Sequence, residues 1–570
     1  MFFEHKLLLV ILSFQFYGAF SEVVTTESGQ LNGTITLSWT GQPFHAFYGI
    51  PYAQPPIDSL RFEPPLPVQS WNGVRSAVAY GPICWQPIWQ ENLPVMGEDC
   101  LTLNVFTKNL PSETNNVLKP VIVFIHGGGF RTGSASLEAG PRYLMDRDIV
   151  YANINYRLGA LGFLATGSKA APGNMGMKDQ VLALKWIKTN IQHFGGDPNK
   201  VTISGMSAGG FSVTSLMVSQ MAVDLFHGVI THSGALTFAM GIKHSDLESA
   251  IFIAKQMGCS SENPEEFVPC LKTKSPEEII NVAYTDAPYC KLISWRPVIE
   301  PDFEQERFLT EDPNESFRNG RYPKIPVIAG ITANEFATGA YGALFENNLR
   351  QLNENYDEVA PNCFSYALAE DTKKVGDILR KAYLPFDTID VRSFNNLNNF
   401  FSDAGIGVGV HRFVHFISNE TDVFYFKFSF IGRYSLFNYP HERPYGVQHA
   451  DDMQYIMSDY ISPLYQKSDP ESFVVERMTR IYEQFAWSGN PNNSTDEYLS
   501  EMNWPKHNSS TEFFMDIGTH FVEKHGLNLE RYTVWDSLET SKANSLKFRM
   551  VAAPLLFGLV ALFIKRASLK

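Results

Sequence analysis

Short apolar runs alternate with helix-periodic segments along most of this chain. Val121 to Ile125 (VIVFI) is an apolar run with β-branched residues, and Ile149 to Ile154 (IVYANI) is another. Between Asp179 and Phe194, Val181, Leu184, Ile187 and Ile191 recur at helical spacing, and Gly195-Gly196-Asp197-Pro198 stops that helix. Val201-Thr202-Ile203 reads as a third strand, and further runs follow at Val229-Ile230, Pro326 to Ala329 and Val423 to Phe430. Strands separated by helical crossovers pair in parallel, and a parallel sheet is covered on both faces. The reading is an α/β chain with a large, mostly parallel central sheet flanked by helices.

At 570 residues and 44% apolar composition, the chain can bury a large core. Charged residues at 19% and aromatics at 13% mark it as globular. The net charge of -14, from 46 basic and 60 acidic side chains, repels phosphate backbones and argues against nucleic-acid partners. Nothing between residues 22 and 540 reads as a linker, so this stretch is taken as one domain with long insertions.

Both ends differ from the body. Lys6, the apolar stretch Leu7 to Phe20, and Ala19-Phe20-Ser21 before Glu22 form a secretory signal pattern over residues 1–21. At the other end, the polar segment Ser541 to Arg549 leads into apolar Met550 to Ile564, followed by Lys565-Arg566. Three readings fit residues 541–570. Small residues, polar spacer and apolar tail resemble a GPI-attachment signal. The basic end favours a stop-transfer anchor. The third is a helix packed on the protein's own surface.

Secretion makes the six cysteines readable as disulfides. Cys84 with Cys100 and Cys259 with Cys270 are the close pairs; spacing leaves the pairing of Cys290 and Cys363 open. N-x-S/T sequons at Asn32, Asn314, Asn419, Asn492, Asn493 and Asn508 are glycosylation candidates and would suit surface loops.

The chemistry concentrates in three places. Gly205-Met206-Ser207-Ala208-Gly209 follows the third strand directly and leads into a segment that can continue as helix. That is the G-x-S-x-G pattern of a serine held on a strained strand-to-helix turn. His126-Gly127-Gly128-Gly129-Phe130 follows the first strand. Consecutive glycines expose backbone N–H groups, so the amides of Gly128, Gly129 and Ala208 are candidate donors to a tetrahedral oxyanion. A serine nucleophile needs a base, and the base needs an orienting acid. For this fold the chain order is serine, acid, histidine. His449, in Gly446-Val447-Gln448-His449-Ala450-Asp451-Asp452, is a candidate base. Glu335, just after the strand Pro326 to Ala329, is a candidate acid among many carboxylates.

Other motifs accompany these: Arg61-Phe62 with Pro64-Pro65, Glu98-Asp99-Cys100-Leu101-Thr102-Leu103-Asn104-Val105, Asn155-Tyr156-Arg157-Leu158-Gly159, Gly173-Asn174 and Asp179-Gln180. Together they resemble the type-B carboxylesterases of the cholinesterase-like branch of the α/β-hydrolase fold. Met206 before the serine most resembles insect esterases. The resemblance implies an α/β-hydrolase fold and hydrolysis of small carboxylic esters through an acyl-enzyme, without metal or organic cofactor. It implies Ser207 as nucleophile, Glu335 as acid and His449 as base, with an oxyanion hole from Gly128, Gly129 and Ala208. It also implies the disulfides Cys84–Cys100 and Cys259–Cys270. Three departures stand out. Phe336 replaces a glycine after the acid, which would alter the backbone there. Met206 replaces a frequent glutamate. The Cys84–Cys100 loop, holding Trp85 and Trp89, is shorter than in true cholinesterases, so acetylcholine is not the favoured substrate. Relatives of this fold can lose the catalytic serine and serve in cell-surface recognition; here every catalytic position is filled.

Overall fold

The chain enters its sheet by antiparallel pairing. Strands β1 (Phe20–Thr26), β2 (Gly29–Leu37) and β3 (Pro43–Pro51) form one edge, with β4 (Val74–Ser76) beside β2. Strands β5 (Ile83–Cys84) and β6 (Met96–Gly97) make a separate small ladder. Then come β7 (Thr102–Thr107), β8 (Lys119–Ile125), β9 (Val150–Ile154), β10 (Gly196–Met206), β11 (Gly228–His232), β12 (Val327–Thr332), β13 (Val423–Phe428), β14 (Phe513–Ile517) and β15 (Phe521–His525). In this computed structural model, which describes residues 20–87, 94–112, 116–237, 242–259, 262–285, 295–436, 446–458 and 463–538, they build a 13-stranded sheet. Its order is β1-β2-β3-β7-β9-β8-β10-β11-β12-β13-β14-β15. Pairing is parallel from β9 through β14 and antiparallel at both edges. The sequence expectation of a mostly parallel central sheet holds. The antiparallel margins are added by strands too polar and irregular to read as buried.

The apolar runs follow from burial on both faces. In β8, Val121, Val123 and Ile125 pack in one core cluster, whereas Ile122 and Phe124 pack in the other. Successive side chains of a strand point to opposite faces, so a strand covered on both sides is apolar throughout. The cover comes from α1 (Ala135–Glu138), α2 (Gly159–Phe163), α3 (Met175–Asn190), α4 (Ala208–Val218), α5 (Leu247–Gln256), α6 (Pro264–Lys272), α7 (Pro276–Thr285) and α8 (Pro313–Arg318). It continues in α9 (Ala337–Ala343), α10 (Glu346–Glu354), α11 (Tyr356–Cys363), α12 (Thr372–Tyr383), α13 (Phe394–Ser402), α14 (Val408–Ile417) and α15 (Ser472–Ser488). The helices between β12 and β13 build a third core, in which Phe364 stacks on Phe400 at 3.6 Å between ring centroids.

One helix boundary differs from expectation. The helix expected over 179–194 begins at Met175 and passes into a 3-10 turn at Ile191–Phe194. Asn174, at φ 63, turns the chain into it while its side chain bonds Val298 and Glu300. Met175 and Met177 are buried, as are Lys178 and Asp179 through ion pairs with Glu300 and Arg157, so the first turn carries polar residues that hide its apolar face from a period count.

Cys84–Cys100 and Cys259–Cys270 are both disulfides, and Cys363 is also disulfide-bonded. Cys290 and Trp89 lie outside the described residues, as do residues 1–19 of the signal pattern and the apolar tail. Several motif residues are structural ion pairs. Arg157 grips Asp179 at 2.8 and 2.7 Å, and Arg61 grips Glu98 at 2.6 and 2.7 Å while donating to the Lys272 and Lys274 carbonyls. The second pair ties the two disulfide regions together. Among the sequons, the surface-loop expectation fails at Asn314, which is buried in α8, and at Asn32, which lies within β2. Asn492 is occupied by two hydrogen bonds to the Trp504 backbone. Asn419 is exposed, and Asn493 and Asn508 are partly exposed.

Candidate active site

Ser207 sits at the carboxyl end of β10, between β8 and β11, and directly precedes α4. In open α/β sheets that end of the strands is where ligands bind. Its backbone is at φ 56, ψ -120, a positive-φ conformation outside the ordinary wells that costs a non-glycine residue about 1–3 kcal/mol. Two hydrogen bonds hold it there: Ser207 N–H donates to the His232 carbonyl at 2.9 Å, and the Ser207 carbonyl accepts from Phe211 at 2.8 Å. The flanking glycines are needed for close approach. A Cβ on Gly205 would lie 2.2 Å from the Gly209 carbonyl oxygen, and one on Gly209 would lie 2.0 Å from that of Ile125. The serine side chain is partly exposed on an otherwise buried turn.

The glycine loop lies against this turn. A Cβ on Gly127 would come within 3.2 Å of the Ser207 Cβ. Gly128 and Gly129 have φ of 94 and 63, which lets the loop double back. Ala208 is the first residue of α4, so its amide is among those at a helix N-terminus that lack an intrahelical partner. Two residues with no sequence signal support the loop from behind. Glu138 on α1 accepts the Gly127 N–H at 3.2 Å, and burial pushes its carboxyl up to about 7. Gln86, inside the Cys84–Cys100 loop, brackets Gly133 through both its backbone N–H (2.9 Å) and its carbonyl (3.0 Å). Burial lowers His126 to about 4, so its ring is neutral as it stacks on Tyr156 at 4.4 Å.

Glu335 and His449 meet although 114 residues separate them. His449 Nδ1 lies 2.5 Å from Glu335 Oε2, and the other carboxylate oxygen accepts the Thr332 N–H at 2.8 Å. Both side chains are buried. The loops carrying them pair like a short ladder: Asn334 N–H donates to the Val447 carbonyl, and His449 N–H to the Glu335 carbonyl. Asp451 secures the histidine loop by accepting from the Gln448 and Leu436 amides and from Ser435 Oγ. Phe336, expected to disturb the backbone, sits at an ordinary φ of -127. Its amide donates to Ser402 Oγ, and its ring packs on the His449 imidazole at 4.9 Å. The departure from glycine is accommodated because this position requires no left-handed backbone.

A second buried relay lies beneath the serine. Asp452 pairs with His232 Nδ1 at 2.6 Å, His232 Nε2 meets the Tyr482 hydroxyl at 2.9 Å, and that hydroxyl meets Ser204 Oγ at 2.8 Å. It anchors the residue whose carbonyl holds the Ser207 amide. The adjacent acids in Ala450-Asp451-Asp452 are its only trace in the sequence.

The sequence model of the carboxylesterase family matches residues 21–535. The chain belongs to the carboxylesterase family. It is 33% identical over 495 residues to Esterase FE4 of Myzus persicae, covering 83% of this chain and 86% of that protein. It is 31% identical over 564 residues to the cocaine esterase of Homo sapiens, covering 95% and 96%. The crystal structure of juvenile hormone esterase from Manduca sexta, with OTFP covalently attached, superposes with a TM-score of 0.80 at 27% identity, covering 91% of this chain and 100% of that one. This carboxylesterase therefore has the α/β-hydrolase fold and is a carboxylic ester hydrolase acting on small ester substrates.

Proposed function

We propose that this carboxylesterase works through Ser207 as nucleophile, His449 as base and Glu335 as orienting acid, with the amides of Gly128, Gly129 and Ala208 as the oxyanion hole. The observations that support the reading are a strained serine turn with a glycine loop against it at the carboxyl end of β10, and a buried Glu335–His449 pair just past the same end of β12, two strands away in the parallel sheet. His449 Nε2 takes the Ser207 proton as Oγ attacks the ester carbonyl. The three amides take up the charge on the carbonyl oxygen. His449 then protonates the departing alcohol and leaves an acyl-serine. Water, deprotonated by the same imidazole, releases the carboxylic acid. Glu335 fixes the tautomer and stabilises the imidazolium while remaining ionised. The test is turnover of 1-naphthyl acetate by the mature chain beside Ser207→Ala: the parent hydrolyses it and the variant does not. Equal turnover by both would overturn the assignment.

We further propose that residues 22–540 are the hydrolase unit of a protein made in the secretory pathway, residues 1–21 its cleaved leader, and residues 541–570 a GPI-attachment signal. The two complete disulfides and the leader pattern support an extracellular location. Among the described residues no helix is long and apolar enough to cross a membrane. Release from intact cells by a phosphatidylinositol-specific phospholipase C tests the tail. Retention on the membrane would count against GPI attachment.

A further inference from the structure

Away from the serine, two histidines and a glutamate converge on one point. His415 lies on α14, while His507 and Glu512 lie on the loop before β14. One ligand atom from each of the three lies within 4.8 Å of the others. His415 Nε2 is 3.3 Å from Glu512 Oε1, and His507 Nε2 is 3.9 Å from Glu512 Oε2. The His415 and His507 rings stand perpendicular, with centroids 5.6 Å apart.

The decisive feature is the state of His507. Its side chain is fully buried, and its Nε2 has no hydrogen-bond partner. Its Nδ1 is 2.8 Å from the Phe513 carbonyl, which can only accept, so Nδ1 carries the proton and Nε2 presents a lone pair. A buried nitrogen acceptor without a donor costs free energy. A backbone carbonyl on the far nitrogen is the arrangement that orients histidine ligands in metal sites. Facing that lone pair are a second imidazole and a carboxylate. Both are partly exposed, which leaves a path for an ion to enter.

We infer that His415, His507 and Glu512 form a binding site for a divalent transition-metal ion of the zinc type, separate from the esterase site. Two imidazoles and one carboxylate suit zinc's preference for nitrogen and oxygen ligands, and water completes the tetrahedron. Metal–ligand bonds of about 2.0–2.2 Å require only a small inward movement of the three groups. The site ties α14 to the loop before β14. It lies at the amino end of β13, where the His507 N–H donates to the Val423 carbonyl at 2.7 Å. The Glu335 end of the sheet is at the far end of that strand, roughly 17 Å away at about 3.3 Å per residue. The bound ion is therefore a staple and takes no part in ester hydrolysis.

The test uses the mature chain, stripped with chelator, dialysed and titrated with Zn²⁺ against a chromophoric indicator. Co²⁺ loading reports geometry through its visible absorption. The expected result is one equivalent of zinc per chain and the intense visible bands of tetrahedral cobalt. His507→Asn keeps a donor for the Phe513 carbonyl but removes the ligand nitrogen, and His415→Gln removes the other imidazole. Each weakens zinc binding by more than about 100-fold, since loss of even an outer partner costs 10–100-fold. Unchanged 1-naphthyl acetate turnover and far-UV circular dichroism show that these variants are folded. Zinc uptake that is absent in the parent, or equal in parent and folded variants, would overturn the site.

Discussion

Glu335 and His449 are joined twice: the carboxylate meets imidazole Nδ1 at 2.5 Å, and the His449 amide donates to the Glu335 carbonyl at 3.0 Å. The side-chain contact and the main-chain bond hold the pair in one register, so the orientation of the imidazole does not depend on the carboxylate alone. This separates chemistry from scaffolding and makes the pair testable by an isosteric change.

Glu335→Gln keeps the shape and the main-chain bond but removes the charge that selects the Nδ1–H tautomer. The expected loss in kcat is on the order of 10⁴-fold, with the melting temperature little changed. Steady-state kinetics with 1-naphthyl acetate beside thermal unfolding checks it. A loss below tenfold would mean that another carboxylate orients His449.

Gly128→Ala places a Cβ 2.1 Å from the Thr132 carbonyl oxygen at a φ of 94. The loop must move, and its amides leave the serine. A fall of about 10²–10³-fold in kcat is expected, the usual cost of losing an oxyanion donor. A folded variant with parental turnover would place the oxyanion donors elsewhere.

Glu138 makes stability depend on pH. Its carboxyl is raised by burial to about 7 from an ordinary 4.5, so the folded protein holds a proton that the unfolded chain releases. The stabilisation is complete below pH 4.5 and is lost as pH rises through 7, amounting to about 3 kcal/mol. Glu138→Gln removes this dependence while keeping an acceptor for the Gly127 amide. Urea unfolding at pH 5 and pH 8 should show the parent losing ground to the variant at the higher pH. A constant difference between them would contradict the assignment.

Phe336 replaces a family glycine with a ring that packs on His449. An aromatic contact contributes about 0.5–1.5 kcal/mol, so Phe336→Ala should lower kcat roughly 2- to 13-fold with KM unchanged. Phe336→Tyr should restore most of it. A change confined to KM would make Phe336 a substrate contact instead.

The central strands are legible in the sequence because burial on both faces makes them uniformly apolar, as in Val121 to Ile125. The serine turn is legible because Gly205 and Gly209 are required by backbone contacts of 2.2 and 2.0 Å. The edge strands are not, since β15 alternates irregularly and is mostly exposed. At the site, Ser207 and the glycine loop announce themselves locally. By spacing alone Glu335 and His449 are candidates among many carboxylates and 14 histidines, and the family resemblance singles them out; their loops pair across 114 residues. Glu138, Gln86 and the His232–Asp452 relay have no motif of their own. Their roles come from where the fold places a buried carboxylate, amide or imidazole, and spacing along the chain does not encode that.

Labelling the mature protein with a fluorophosphonate ester, and locating the adduct by peptide mass spectrometry, tests directly whether Ser207 is the nucleophile. One adduct is expected, on Ser207 Oγ, formed in step with loss of 1-naphthyl acetate turnover and absent from Ser207→Ala. Inactivation with the adduct on any other residue, or turnover that survives full labelling of Ser207, would contradict that role.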